Sequence, residues 1–327
     1  MCTRHMLSLA LLACSAFAIR APLGGTLNCD KNLLRPSNST PDDVNFVRPA
    51  DITFFGALGD SITSGFGSCD SPCHLALSYP HNSAYASGLN VAVPGRLSSD
   101  LPRQASELSN KILMATRVRP VDMATGWKLI TAFIGTNDIN VMCAQGTTTS
   151  KTDFKRYIYD AIAVLQRMPR TIIVLAPLWD VDFALGASQI MTGKGYFCTN
   201  SDLRNTAQQR TAEFGEAMAE LAADPRLQGK DKVVMQIPVF NELNGPVKQA
   251  TGKYNRDFYG LDNFHLSKYG QSIVAKQMWR LLMSPIPERR ITQADMQDEG
   301  KQLKCPAKEC PYIRTPANSV NCGRKVL

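Results

Sequence analysis

No apolar run in the 327 residues reaches the roughly 20 positions that a helix needs to cross a bilayer, so no transmembrane anchor is expected. The chain also lacks H-E-x-x-H, and Asp180 and Asp182 have no histidine partners, which leaves no expected catalytic metal and no cofactor site. The serine-hydrolase signature G-x-S-x-G is missing, because Thr63 stands where its second glycine would fall. A phosphate loop is missing too: Gly186 and Lys194 are too far apart, and Gly195 replaces the hydroxyl residue. Basic residues are scattered, with no basic run interleaved with aromatics. The formal charge of +8 therefore reads first as a solvated positive face and, for partners, favours anionic surfaces such as acidic lipid or cell-wall polymer over nucleic acid. There is no internal repeat and no low-complexity tract.

A targeting segment opens the chain. Arg4 and His5 precede the apolar residues 6–17, and Ala16-Phe17-Ala18 offers small residues at the −3 and −1 positions of a signal-peptidase site. Residues 1–18 are thus expected to be a signal peptide, and the mature protein to be secreted. Cys2 and Cys14 leave with it, and Cys29, Cys69, Cys73, Cys143, Cys198, Cys305, Cys310 and Cys322 remain. An even number in an oxidising compartment reads as disulfides, with about 105 possible connectivities. Cys69, Cys73 and His74 have no second ligand pair at metal-site spacing. Asn38-Ser39-Thr40 is an N-glycosylation sequon, which fits a surface loop of a secreted protein.

From residue 52 onward strand-like and helix-like segments alternate. Residues 52–58, 89–93, 129–134, 171–176 and 233–237 are short, apolar and rich in β-branched or aromatic residues, as strands covered on both faces should be. Between them Leu101, Ala105, Leu108 and Ile112 recur at helical spacing behind a Ser98-Ser99-Asp100 start signal, as do Phe154, Ile158 and Ile162, then Leu203, Ala207, Phe214 and Met218. A last helix is expected over residues 267–283. The alternation predicts an α/β fold, a three-layer α/β/α domain around a central parallel sheet. Residues 65–88 and 178–201 are long for connections, and the tail from residue 285 reads as a strap held by disulfides.

In such sheets chemistry gathers beyond the carboxyl ends of the strands. Ser61, Gly95 and Asn137 each follow an apolar run by a few residues, so all three should share one rim. A serine hydroxyl needs a base. Of the histidines left after processing, His74 and His81 have no acidic partner at a telling offset, whereas His265 follows Asp262 by three. That spacing allows Asp262 to hold Nδ1 while Nε2 faces Ser61. The backbone N–H groups of Ser61 and Gly95 and the amide of Asn137 are the candidate oxyanion donors. Asp60 and Asp138 are expected to support the loops carrying Ser61 and Asn137 by hydrogen bonds.

Together Gly59-Asp60-Ser61, Asn90-x-Ala92-x-x-Gly95, Gly135-x-Asn137-Asp138 and Asp262-x-x-His265 resemble the four blocks of the GDSL or SGNH hydrolase superfamily. The resemblance implies the flavodoxin-like SGNH fold, the same triad and oxyanion roles, and hydrolysis of acyl esters without a cofactor. Arg48-Pro49-Ala50-Asp51-Ile52, Asp100-Leu101-Pro102-Arg103-Gln104-Ala105, Trp127-Lys128-Leu129-Ile130-Thr131 and Met168-Pro169-Arg170-Thr171 narrow it to the phospholipase B-like subgroup. That likeness implies release of fatty acids from phospholipids, at a lipid interface. Asn263 stands where the subgroup's pattern leads one to expect a cysteine. The alternatives are an esterase or deacetylase acting on acetylated carbohydrate or small esters, and a secreted binding protein without activity. The expected organisation is a signal peptide at 1–18, an N-terminal extension at 19–47, a catalytic domain at 48–284 and a disulfide-held tail at 285–327.

Overall fold

The computed structural model describes residues 27–68, 87–118, 122–146, 149–183, 201–240, 243, 245–297 and 302–322. The expected signal peptide, Cys69, Cys73, His74, His81, Cys198 and residues 184–200 of the second long connection lie outside the described residues.

Four parallel strands form one sheet in the order β1 (Ile52–Gly59), β2 (Trp127–Phe133), β3 (Thr171–Leu175) and β4 (Lys232–Gln236). Their β-branched and aromatic content suits a pleated surface, and β3 is buried at every position because both of its faces are covered. The helices are α1 (Ser61–Ser64), α2 (Leu101–Val118), α3 (Thr136–Gln145), α4 (Lys151–Leu165), α5 (Ser201–Ala223), α6 (Lys268–Leu282) and α7 (Pro316–Val320). On one face α2 packs on β1, α4 lies between α2 and α5, and α5 reaches β4. Phe154 of α4 stacks on Phe214 of α5 with ring centroids 3.8 Å apart, joining two faces that helical periodicity had marked as apolar. A Cβ on Gly56 would meet Leu108 of α2 at 2.8 Å, so the side chains of Phe55 and its register partner Leu129 turn to the opposite layer, where α6 lies.

Two sequence expectations change. Residues 89–93 do not form a strand. Asn90 makes a single bridge to Ala57, and its side chain then bonds the Ala92 N–H at 3.1 Å and the Thr63 carbonyl at 2.8 Å. This local turn competes with a ladder, although Val91 and Val93 still donate to the Ala57 and Gly59 carbonyls at the sheet edge. Ser98 likewise does not cap α2. It opens a 3-10 turn over Ser98–Asp100 and spends its hydroxyl on Asp138.

The far end of the sheet is locked by a buried cation. Lys128 is wholly inaccessible, and its ammonium donates to the carbonyls of Met123, Gly126 and Pro169, tying the approach to β2 to the turn before β3. Burial and the charge of Arg170 together lower its pKa to about 8. Lys128→Met keeps the length of the side chain but leaves buried carbonyls unpaired. It should lower the unfolding free energy in urea by at least ~2 kcal/mol, and an unchanged midpoint would contradict this reading.

Candidate active site

β1 and β2 end side by side, with Gly59 in register with Phe133. At Gly59 the backbone takes φ +151°, and a Cβ there would stand 2.2 Å from the Phe133 carbonyl oxygen, so only glycine lets the chain leave the strand at this point. Gln104, fully buried on α2, receives the Gly59 N–H at 2.8 Å and donates to its carbonyl at 2.9 Å, doing for this edge what a neighbouring strand would do. Asp60 then caps α1 by accepting from the Ile62 N–H at 3.0 Å. Ser61 is the first residue of that turn and only 7% exposed. Its hydroxyl makes no hydrogen bond among the described residues.

Asp262 and His265 occupy the tip of a short hairpin closed by the Tyr259–Leu266 bridge. Inside it Gly260 donates to the His265 carbonyl at 2.7 Å and Asn263 to the Gly260 carbonyl at 2.9 Å. Asn263 sits at φ +58°, a left-handed conformation that asparagine tolerates better than most residues. This turn brings Asp262 Oδ2 into a hydrogen bond with His265 Nδ1, while Oδ1 accepts the N–H groups of Phe264 at 3.1 Å and His265 at 3.0 Å. Burial pushes the Asp262 carboxyl up. The His265 side chain and the two N–H groups outweigh that and hold it below the ordinary carboxylate value.

The hairpin is seated on the loop that carries Ser61. The His265 ring packs edge-on against Phe66 at 4.7 Å and against Phe264 at 4.9 Å, and a Cβ on Gly67 would stand 2.9 Å from the His265 Cβ. Gln271 of α6 donates to the Ile62 carbonyl at 2.8 Å. Residues some two hundred positions apart in sequence therefore share one rim.

Gly95 and Asn137 complete that rim. Gly95 has φ +77° with open space where a Cβ would stand, so conformation rather than crowding calls for glycine. Asn137, in the first turn of α3, donates one amide hydrogen to the Arg96 carbonyl at 3.0 Å, which fixes it beside the Gly95 loop. Asp138, buried behind it, accepts from the Ser98 N–H at 2.9 Å and from the hydroxyls of Ser98 at 2.7 Å and Thr149 at 2.6 Å. The hydroxyl, the carboxylate-paired imidazole and the backbone and amide donors thus come from adjoining loops, and these are the group types that acyl transfer to serine uses. The supporting roles of Gln104, Phe66 and Thr149 were not read from the sequence, and Ser98 was read there only as part of a helix start signal. Of the first three only Gln104 left a sign, a polar side chain at an inward position of an amphipathic helix.

Asp60 is the most perturbed acid of this set. Burial drives its carboxyl up to about 7, the Ile62 N–H and the Thr136 hydroxyl oppose the rise, and the charge of Asp138 adds to it. The Thr136 hydroxyl eases the charge from nearby without reaching hydrogen-bond geometry, and among the described residues Oδ2 has no other partner. Because the folded state binds this proton more tightly than the unfolded chain, with its value near 3.8, ionisation costs stability as pH rises between about 4 and 7. Asp60→Asn keeps the cap and removes the titration. The unfolding free energy of that variant relative to the wild type should therefore climb between pH 4 and 7 and level off above. A difference constant over that window would show that Asp60 does not titrate there.

The sequence profile described as GDSL-like Lipase/Acylhydrolase matches residues 55–278. Two curated relatives, both described as membrane-associated phospholipase B1, are those of Homo sapiens, 25% identical over 337 residues, and Mus musculus, 26% identical over 331. Each alignment covers 87% of this chain but 22% of the relative, so the chain spans well under half the length of the curated proteins it matches. Among solved structures, phospholipase A1 from Streptomyces albidoflavus is similar with a TM-score of 0.33 at 19% identity, covering 67% of this chain and 94% of the other.

Proposed function

From membership of the GDSL-like lipase/acylhydrolase family, to which this chain belongs by the match over residues 55–278, we propose that the protein is a secreted serine hydrolase that releases fatty acids from phospholipids. The observation that carries the reading is the hydrogen bond between His265 Nδ1 and the Asp262 carboxylate, which accepts it, in a hairpin packed against the Ser61 loop. In this reading Nε2 of His265 accepts the Ser61 proton as Oγ attacks the ester carbonyl, and Asp262, ionised, steadies the imidazolium that forms. The oxyanion takes hydrogen bonds from the N–H groups of Ser61 and Gly95 and from the second amide hydrogen of Asn137. His265 next protonates the departing alcohol, and water, deprotonated by the same imidazole, releases the acid and restores Ser61.

The relatives described as phospholipase B1 support a phospholipid substrate. Export is supported by the leader-like residues 1–18, by the Cys29–Cys305 and Cys310–Cys322 disulfides and by the exposure of Asn38 in its sequon. Among the described residues no helix is long and apolar enough to cross a membrane. Within this proposal residues 48–284 are the catalytic unit, the Cys29–Cys305 disulfide ties the tail beyond it to the N-terminal extension, and Cys310–Cys322 closes a loop inside that tail.

Ser61→Ala and His265→Ala should each abolish fluorophosphonate labelling and lower release of fatty acid from mixed phospholipid micelles by at least about 10³-fold, with the double variant no worse than either single one. Losses that multiply in the double variant would separate the two residues. Wild-type activity should fall in acid as His265 gains a proton and ceases to be a base; a rate flat across the acidic range would remove His265 from the role.

A further inference from the structure

The hydrogen bond between His265 Nδ1 and Asp262 fixes one edge of the imidazole but leaves the ring free to swing about the axis of that bond. Such a swing redirects Nε2. Packing against the ring is what removes it, and two aromatic side chains supply that contact. Phe264 meets the imidazole with centroids 4.9 Å apart and an interplanar angle of 88°, and Phe66 meets it at 4.7 Å and 61°. Both are edge arrangements, which aromatic rings favour over a face-to-face sandwich.

The two rings hold the imidazole from different parts of the chain. Phe264 belongs to the hairpin itself, is buried, and leans on Trp179 at 5.9 Å, which packs in turn on Phe133 at 5.5 Å. It ties the base to the end of the sheet. Phe66 belongs to the loop of the serine. Its N–H donates to the Ser61 carbonyl at 3.0 Å, and its ring ends against His265. The backbones are close here as well: a Cβ on Gly67 would stand 2.9 Å from the His265 Cβ, and one on Gly260 would stand 2.8 Å from the Gly67 carbonyl oxygen. Gly67 takes φ +80°, a left-handed conformation suited to glycine. Residues 66 and 67 therefore form a seat for the hairpin, and Phe66 supplies its side chain.

We propose that Phe66 is a positioning residue, whose ring sets the direction of His265 Nε2 relative to Ser61. The proposal rests on the reading of His265 as the base for Ser61. Because the Phe66 N–H is bonded to the Ser61 carbonyl, a displacement of the serine turn carries the ring with it, and the imidazole follows. Without the ring the Asp262 bond and the hairpin stay, but proton transfer loses its alignment. A misplacement of about 1 Å can cost on the order of 100-fold in rate. The loss falls on kcat and spares KM, since ground-state binding does not depend on where Nε2 points. A residue that only stabilised the fold would lower the unfolding midpoint and leave kcat of the folded protein alone.

The test compares the full chain with Phe66→Leu and Phe66→Tyr, each made alone and together with His265→Ala, on soluble monomeric p-nitrophenyl butyrate. Phe66→Leu keeps apolar bulk without the ring and should lower kcat at least about tenfold while KM changes less than about twofold. Phe66→Tyr keeps the ring and should recover most of that kcat. In the His265→Ala background, with no imidazole to orient, Phe66→Leu should cost nothing further in residual rate. Unfolding midpoints would verify that the variants are folded at the assay temperature, and Phe66→Met gives the same comparison if Phe66→Leu is not. A kcat indifferent to loss of the ring, a loss carried by KM, or an equal loss with and without His265 would each overturn the proposal alone. Hydrolysis that is absent from the wild type, or undiminished by Ser61→Ala, would instead remove the underlying reading and the proposal with it.

Discussion

The pairing of Gly59 with Phe133 at the last rung of β1 and β2 is the constraint from which the rim is built. Because the strands are parallel, both chains leave the sheet in the same direction, one into the Asp60-Ser61 turn and the other into Gly135-Thr136-Asn137. Gln104 stops the β1 backbone from shifting by satisfying both polar groups of Gly59. A slip of one residue would turn Ser61 away from the His265 hairpin and would part Asn137 from the Gly95 loop. The precision of the rim is therefore a property of the sheet and of one buried amide.

Three aspartates near the rim illustrate how local surroundings divide the same side chain among different tasks. Asp262 is supported by an imidazole and two N–H groups, and so keeps its charge. Asp138 is buried and raised by desolvation, but two hydroxyls and a backbone N–H compensate it in part. Asp60 receives the least support for its burial, and the strain falls on the residue next to Ser61. Only Asp262 faces the imidazole. The other two position backbone, one beneath Ser61 and one behind the Asn137 amide.

Much of this could be read in the sequence, because the information is local. Strand runs such as residues 171–175 show their burial as unbroken apolar text, and the offset of three between Asp262 and His265 limits the geometry to a turn. Residues 89–93 misled because their composition resembles a strand while the bonding of the Asn90 side chain, which bends them, depends on Thr63 in a distant segment. Ser98 misled for a related reason: its hydroxyl had a local use as a cap and a distant one at Asp138, and the buried carboxylate won. Gln104 was visible as a polar residue among Leu101, Ala105 and Leu108, but its partner was not.

The central claim is that Ser61, His265 and the donors of Gly95 and Asn137 surround one reacting carbonyl. The most direct measurement is a crystal structure of the protein after reaction with an alkyl fluorophosphonate. The account requires phosphorus bonded to Ser61 Oγ, the phosphoryl oxygen within hydrogen-bond distance of the Gly95 N–H and the Asn137 amide, and His265 Nε2 beside the serine oxygen. An adduct on another residue, or a phosphoryl oxygen pointing away from Gly95 and Asn137, would contradict it.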